Sequence, residues 1–172
     1  MKKFLYSAML LSACVFASCD DNNLLGPKDD IGGTATVNLA GEWYVHANIV
    51  ENGVTREDPY GIGYMEFLTY NTAANNATEM YINDQENFWD FKGVVNCDTK
   101  ALTFSGTDVP NEANDTTTFN VIDGKVLLGA ATSPYGHKVD SICFDVTFSD
   151  DDEASTYRFE GYRRTGFDQG ND

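Results

Sequence analysis

Histidine is almost missing from this chain: His46 and His137 are the only two in 172 residues. They are too far apart in sequence to form a paired ligand motif, so no zinc site and no other metal site is expected. No Gly-x-Ser-x-Gly elbow occurs either, which argues against an α/β-hydrolase triad. Basic residues are scarce, with 11 Lys and Arg facing 27 Asp and Glu for a formal net charge of −16. Such a surface repels nucleic acid and anionic headgroups, so neither is expected as a partner. The acidic run Asp150–Glu153 lacks the alternating oxygen ligands of a calcium loop and reads as a solvated turn. No stretch carries a convincing helical period, and 71–77 offers at most one loose turn. Nothing calls for a cofactor.

Long apolar runs are also lacking. The one near the start begins at Phe4 and falls short of the roughly 20 residues of a membrane-spanning helix. Lys2 and Lys3 precede it, and small residues close it, which is the form of a secretory leader. Those small residues run into cysteine twice. Leu11-Ser12-Ala13-Cys14 fits a bacterial lipobox best by letter, and Phe16-Ala17-Ser18-Cys19 fits more loosely. Cys19 is preferred because the chain turns polar at once after it, at Asp20-Asp21-Asn22-Asn23. Cys14, the alternative, would leave Val15 and Phe16 exposed beside the anchor. The expectation is a signal peptide over 1–18 and an acylated Cys19 that holds the protein on a membrane. A flexible tether over 19–38, with Pro27, Gly32 and Gly33, would follow. The acids after Cys19 resemble the signal that sends Bacteroidetes lipoproteins to the outer face of the outer membrane. The expected location is therefore the cell envelope, as a surface-exposed outer-membrane lipoprotein.

The remainder reads as β. Runs rich in Val, Ile, Thr, Phe and Tyr cover 41–50, 62–70, 78–84, 87–97, 100–107, 116–122, 124–131, 139–150 and 156–164, punctuated by Asn, Asp and Gly. Asp123-Gly124 reads as a type I′ hairpin turn. Alternation puts Trp43, Val45, Ala47 and Ile49 on one face, Trp89, Phe91, Gly93 and Val95 on another, and Ile142, Phe144, Val146 and Phe148 on a third. A sheet with one dry face must cover it, and no helix is available. The sheet is therefore expected to close on itself, as an all-β, antiparallel up-and-down barrel of about eight strands over 39–167. Glycines within the runs, among them Gly63, Gly93, Gly106, Gly129 and Gly161, suit the bends of a closing barrel. Residues 168–172 read as a disordered tail. A barrel of this size holds one small ligand or fills with side chains. Cys97 and Cys143 both fall in strand-like runs; a disulfide and two buried thiols stay open alternatives.

Several blocks in combination (LAGEWYV, TYNTAANNATEMYIND with NFWDFK, SICFDVTFSDD and GYRRTGF) resemble a family of Bacteroidetes lipoproteins described as lipid-binding putative hydrolases. The resemblance covers nearly all of 39–167 and implies a calycin-like, lipocalin-type barrel that binds something lipid-like. It also implies a role for Gly41-x-Trp43, whose Trp plugs the closed end of such barrels while a late Arg packs across its ring. Arg163 is the candidate by alternation with Tyr157, Phe159 and Gly161, with Arg164 and Arg158 nearby. The family supplies no catalytic residues to carry over.

Two functional readings follow. In the first, an aromatic inner face of Trp89, Phe91, Phe144, Phe148, Tyr157 and Phe159 lines a site for an apolar or acyl-bearing small molecule. In the second, the same rings fill the barrel of a surface-displayed interaction protein. A weak esterase is the third, with Ser133 and His137 its one local pairing; whether the chain is an enzyme stays open, and no catalytic residue is assigned. Glu66 and Lys92 stand among apolar neighbours, either facing a ligand's polar head or facing solvent. Asp115-Thr116-Thr117 resembles a short O-glycosylation signal in a polar loop.

Overall fold

The computed structural model describes residues 33–166. The leader, Cys14, Cys19, the tether as far as residue 32 and the tail at 168–172 lie outside the described residues.

Nine strands run in order: β1 Gly41–Glu51, β2 Val54–Arg56, β3 Met65–Asn71, β4 Glu79–Asn83, β5 Lys92–Asp98, β6 Thr103–Pro110, β7 Thr118–Thr132, β8 Lys138–Phe148 and β9 Thr156–Arg163. Every pairing is antiparallel between neighbours, and β9 returns to β1. The result is a closed eight-stranded up-and-down barrel, with β2 an extra strand on the far end of β1. No helix occurs among the described residues. The absence of a helical cover thus has the expected consequence: the sheet covers its own dry face.

Closure sets tight conditions where β1 meets β9. Val45 faces Gly161, and a Cβ on Gly161 would run into the Tyr44 carbonyl. Only a glycine lets the two backbones approach so closely. Alternation then sorts the faces. Trp43, Val45, Ala47 and Ile49 of β1 point inward, as do Ile142, Phe144, Val146 and Phe148 of β8. On the outer face, Arg158 and Asp145 stand opposite one another and form a bidentate pair at 2.7 and 2.9 Å.

The structure departs from the sequence expectation at four places. Asp123-Gly124 makes no hairpin. Thr118–Thr132 is one continuous strand, and the dipeptide forms a bulge within it, where the register slips between Ile122 and Lys125. Asp123 takes the left-handed conformation, with φ 52°, which a bulge uses as readily as a turn. The tight hairpin falls instead at Asn52-Gly53, where both residues have positive φ and join β1 to the very short β2. The strand expected from 87 begins at Lys92, and Gly63, expected inside a strand, lies before β3 with φ 75°. Residues 34–39, mostly assigned to the tether, form a turn whose Thr36 and Leu39 are fully buried.

The cysteines do not pair. Cys97 on β5 and Cys143 on β8 are free, with β6 and β7 between them. Burial pushes both thiols above their ordinary pKa. Denaturing the protein without reductant and adding a maleimide is expected to label both. A mass showing neither labelled would restore the disulfide.

Candidate functional site

The barrel has two unlike ends and a packed middle. At the first end, Trp43 is fully buried. Its indole N–H donates to Thr69 Oγ1 at 2.8 Å, and that hydroxyl donates to the Leu39 carbonyl at 2.6 Å. The Arg163 guanidinium lies 4.4 Å from the centre of the Trp43 ring. The same guanidinium donates to Asp140 Oδ2 at 2.9 Å and to the carbonyls of Ala40 and Asn38. Gly41 makes room for it, because a Cβ there would stand 3.1 Å from the guanidinium carbon. Arg164 and Arg158 are elsewhere: Arg164 pairs with Glu42 at 2.8 Å, and Arg158 pairs with Asp145.

Aromatic rings fill the middle. Phe67, Phe91, Phe144 and Phe159 are all essentially buried. Phe159 lies 5.1 Å from Phe144, 5.9 Å from Phe67 and 5.7 Å from Phe91. β5 and β9 stand opposite each other around the barrel, so contact between Phe91, just before β5, and Phe159 of β9 spans the interior. Centroid spacings of this size are those of packed aromatic pairs.

The second end, or mouth, gathers the β2–β3, β4–β5, β6–β7 and β8–β9 loops. Here the β4–β5 loop, 84–91, folds inward. Its anchor is Asp84, 1% exposed. The carboxylate accepts backbone N–H groups from Glu86, Phe88, Trp89, Asp90 and Phe91, at 2.9–3.2 Å. Gln85, Glu86 and Asp90 all adopt positive φ to make that convergence, so the loop holds strained backbone against its hydrogen bonds. Phe88 and Trp89 are thereby aimed into the mouth, half-buried against the core. Trp89 stacks flat on Phe148, with centroids 4.8 Å apart and planes 5° from parallel. Phe88 meets Tyr157 and Phe159 edge-on. Exposed Tyr60 of the β2–β3 loop lies 6.0 Å from Phe88.

Acids ring this aromatic plug. Trp89 donates its indole N–H to Asp150 Oδ1 at 3.0 Å, and the Tyr157 hydroxyl donates to Asp151 Oδ2 at 3.1 Å. Burial, then contact with Tyr60, holds the Tyr157 phenol well above its usual pKa, so it remains a donor. The run 150–153 is a turn, with Asp151 also accepting from Glu153 and Ser155. No cluster of potential metal ligands occurs among the described residues.

Of the expected lining residues, Phe91, Phe144 and Phe159 lie in the packed middle, while Trp89, Phe148 and Tyr157 belong to the mouth. Trp89 is not on a strand as expected, because the Asp84 loop carries it. Asp84 and Phe88 have no assigned role in the sequence expectation. The sequence carries one partial signal: adjacent aromatics such as Phe88-Trp89 cannot both face inward from a strand, whereas a loop can turn both toward the core. Glu66 and Lys92 both turn outward, Lys92 pairing with Glu112 at 3.3 Å and Glu66 lying 3.7 Å from Arg164. His46 also lies on the outer face, its ring 3.8 Å from that of Tyr64. Ser133 Oγ is buried with no hydrogen-bond partner, so it makes none with His137. Asp115 and Thr116 are exposed in the β6–β7 loop.

Fold and mouth together define a class: a small antiparallel β-barrel, closed on itself, packed with rings in its middle and capped by aromatics. The chain belongs to the family described as lipid-binding putative hydrolase, whose model matches residues 28–168. No curated protein matches the sequence. A crystal structure from Bacteroides ovatus, titled a structural genomics protein of unknown function, is similar at a TM-score of 0.47 and 11% identity. The match covers 73% of this chain and 42% of that one.

Proposed function

We propose that this chain is a lipid-anchored envelope barrel that binds a small apolar or acyl-bearing molecule. The carrying observation is the mouth: an aromatic cluster continuous with the core of a closed barrel, left half-exposed, in a member of a lipid-binding family. Apolar rings with a few fixed polar groups are the usual makeup of a small-molecule site. Acyl chains on Cys19 would keep the barrel at the outer membrane, with the acidic surface turned from anionic headgroups. We assign no catalytic step, since Ser133 Oγ engages no base.

A second reading, a filled barrel that serves protein interaction at the surface, draws on the Phe91–Phe159 contact across the interior. Native mass spectrometry separates the two. Protein stripped of lipid and then offered dodecyl-chain compounds is expected to retain one bound molecule. No retained mass with any of them would leave the filled barrel as the better account.

A further inference from the structure

We infer that the ligand site is the space now taken by Phe88 and Trp89, and that it selects acyl or alkyl chains carrying a cationic or uncharged head over anionic ones. The inference rests on the binding function proposed above and assigns it a place and a head-group class.

The place follows from packing. Rings meet across the barrel at Phe91 and Phe159, so a chain entering from the mouth cannot pass without displacing side chains. The rings that would give way are those no strand carries, by side-chain rotation while Asp84 keeps hold of the loop backbone. Phe88 and Trp89 sit on a loop, and both touch Tyr157. A chain lying between Phe148, Tyr157 and Phe159 would restore the apolar contacts that the two rings give up. The interior need not open, because the plug and the ligand exchange places.

The head-group class follows from the rim. Asp150 and Asp151 contact Trp89 and Tyr157 directly. Glu86 and Asp90 are exposed on the plug loop, and Asp152 and Glu153 are exposed in the β8–β9 loop that also carries Asp150 and Asp151. The basic groups of this end are Arg56, Lys92 and Arg158, of which Lys92 and Arg158 are engaged by Glu112 and Asp145. A carboxylate or phosphate head at this rim meets like charge. An ammonium head meets carboxylates and the faces of Trp89 and Tyr60, both suited to a cation.

Trp89 is also the reporter. The chain has only two tryptophans, and Trp43 lies at the opposite end. The test titrates protein with dodecyltrimethylammonium, 1-monolauroylglycerol and laurate, each below its micellar concentration. Tryptophan emission and native mass spectrometry are followed in the wild type and in Trp89→Phe. Dodecyltrimethylammonium is expected to bind about tenfold or more tightly than laurate at low salt, with the gap narrowing as salt rises, and monolauroylglycerol is expected between them. The emission change should appear in the wild type, alongside the bound mass, and vanish in Trp89→Phe. Laurate binding as tightly as the cation would overturn the head-group assignment. An emission change that survives in Trp89→Phe would overturn the place. Either result leaves the binding function standing, whereas no bound mass from any of the three removes that function as well.

Discussion

Asp84→Ala is expected to lower folding stability by about 3–5 kcal/mol and to release the 84–91 loop from the barrel mouth. A buried carboxylate survives only where donors replace its water, and here five backbone N–H groups do so. Charge-assisted bonds of this kind are stronger than neutral ones. Removing the carboxylate leaves those donors without their acceptor, at about 1–3 kcal/mol for each group that water cannot reach. The positive φ of Gln85, Glu86 and Asp90 would lose the bonds that hold it in place. Asp84→Asn is expected to be destabilising too, because the amide turns a donor toward a ring of donors. Chemical denaturation measures the loss, and hydrogen exchange should show amides 86–91 opening well before those of β1 and β9. A loss below about 1 kcal/mol, within the range of ordinary surface changes and single caps, would mean that ring packing alone holds the plug.

This residue also marks where sequence reading reached its limit. Strand composition, alternation and the lack of any helix were enough for a closed antiparallel barrel, because each is a local signal with one global solution. The inward faces of β1 and β8 could be read directly, since period-2 patterning leaves no freedom once one side is dry. Turn chemistry was less decisive. Asp123-Gly124 carries the letters of a type I′ turn, yet the left-handed conformation those letters supply also serves a bulge, and the long pairing of β7 with β8 decides between them. Asn52-Gly53 carries the same chemistry before a strand of three residues, too short to be seen by periodicity. Asp84 was harder still. An acid following Tyr81-Ile82-Asn83 reads as the polar end of a strand. Its burial depends on a loop turning back over it, a tertiary event without a sequence period. The mouth was therefore legible in its aromatics and illegible in its anchor.

Trp43→Ala should have an effect of similar size at the other end, about 3–5 kcal/mol, the usual range for a fully buried large aromatic cut to Ala. Three losses combine there. The ring's apolar burial goes, Arg163 loses the face it covers, and Thr69 Oγ1 loses its indole donor. Trp43→Phe keeps most of the burial and should cost less, about 1–2 kcal/mol, from the lost hydrogen bond and the poorer fit. Arg163→Lys separates charge from shape. A lysine keeps the positive charge, but it lacks the planar fork that reaches Asp140 and the carbonyls of Ala40 and Asn38 at once. Because Trp43 and Arg163 are in contact, combining Trp43→Phe with Arg163→Lys should cost less than the two single losses added. Thermal or denaturant midpoints of the four proteins give the coupling, and strict additivity would show that the stacked geometry carries no energy of its own. The pair also tests the division of labour between the ends. Folded Trp43→Phe protein should bind dodecyltrimethylammonium as the wild type does, since its change lies across the packed middle from Phe88 and Trp89. If binding is lost from that folded variant while Trp89→Phe retains it, the ligand enters at the Trp43 end, and the acidic mouth is only a cap.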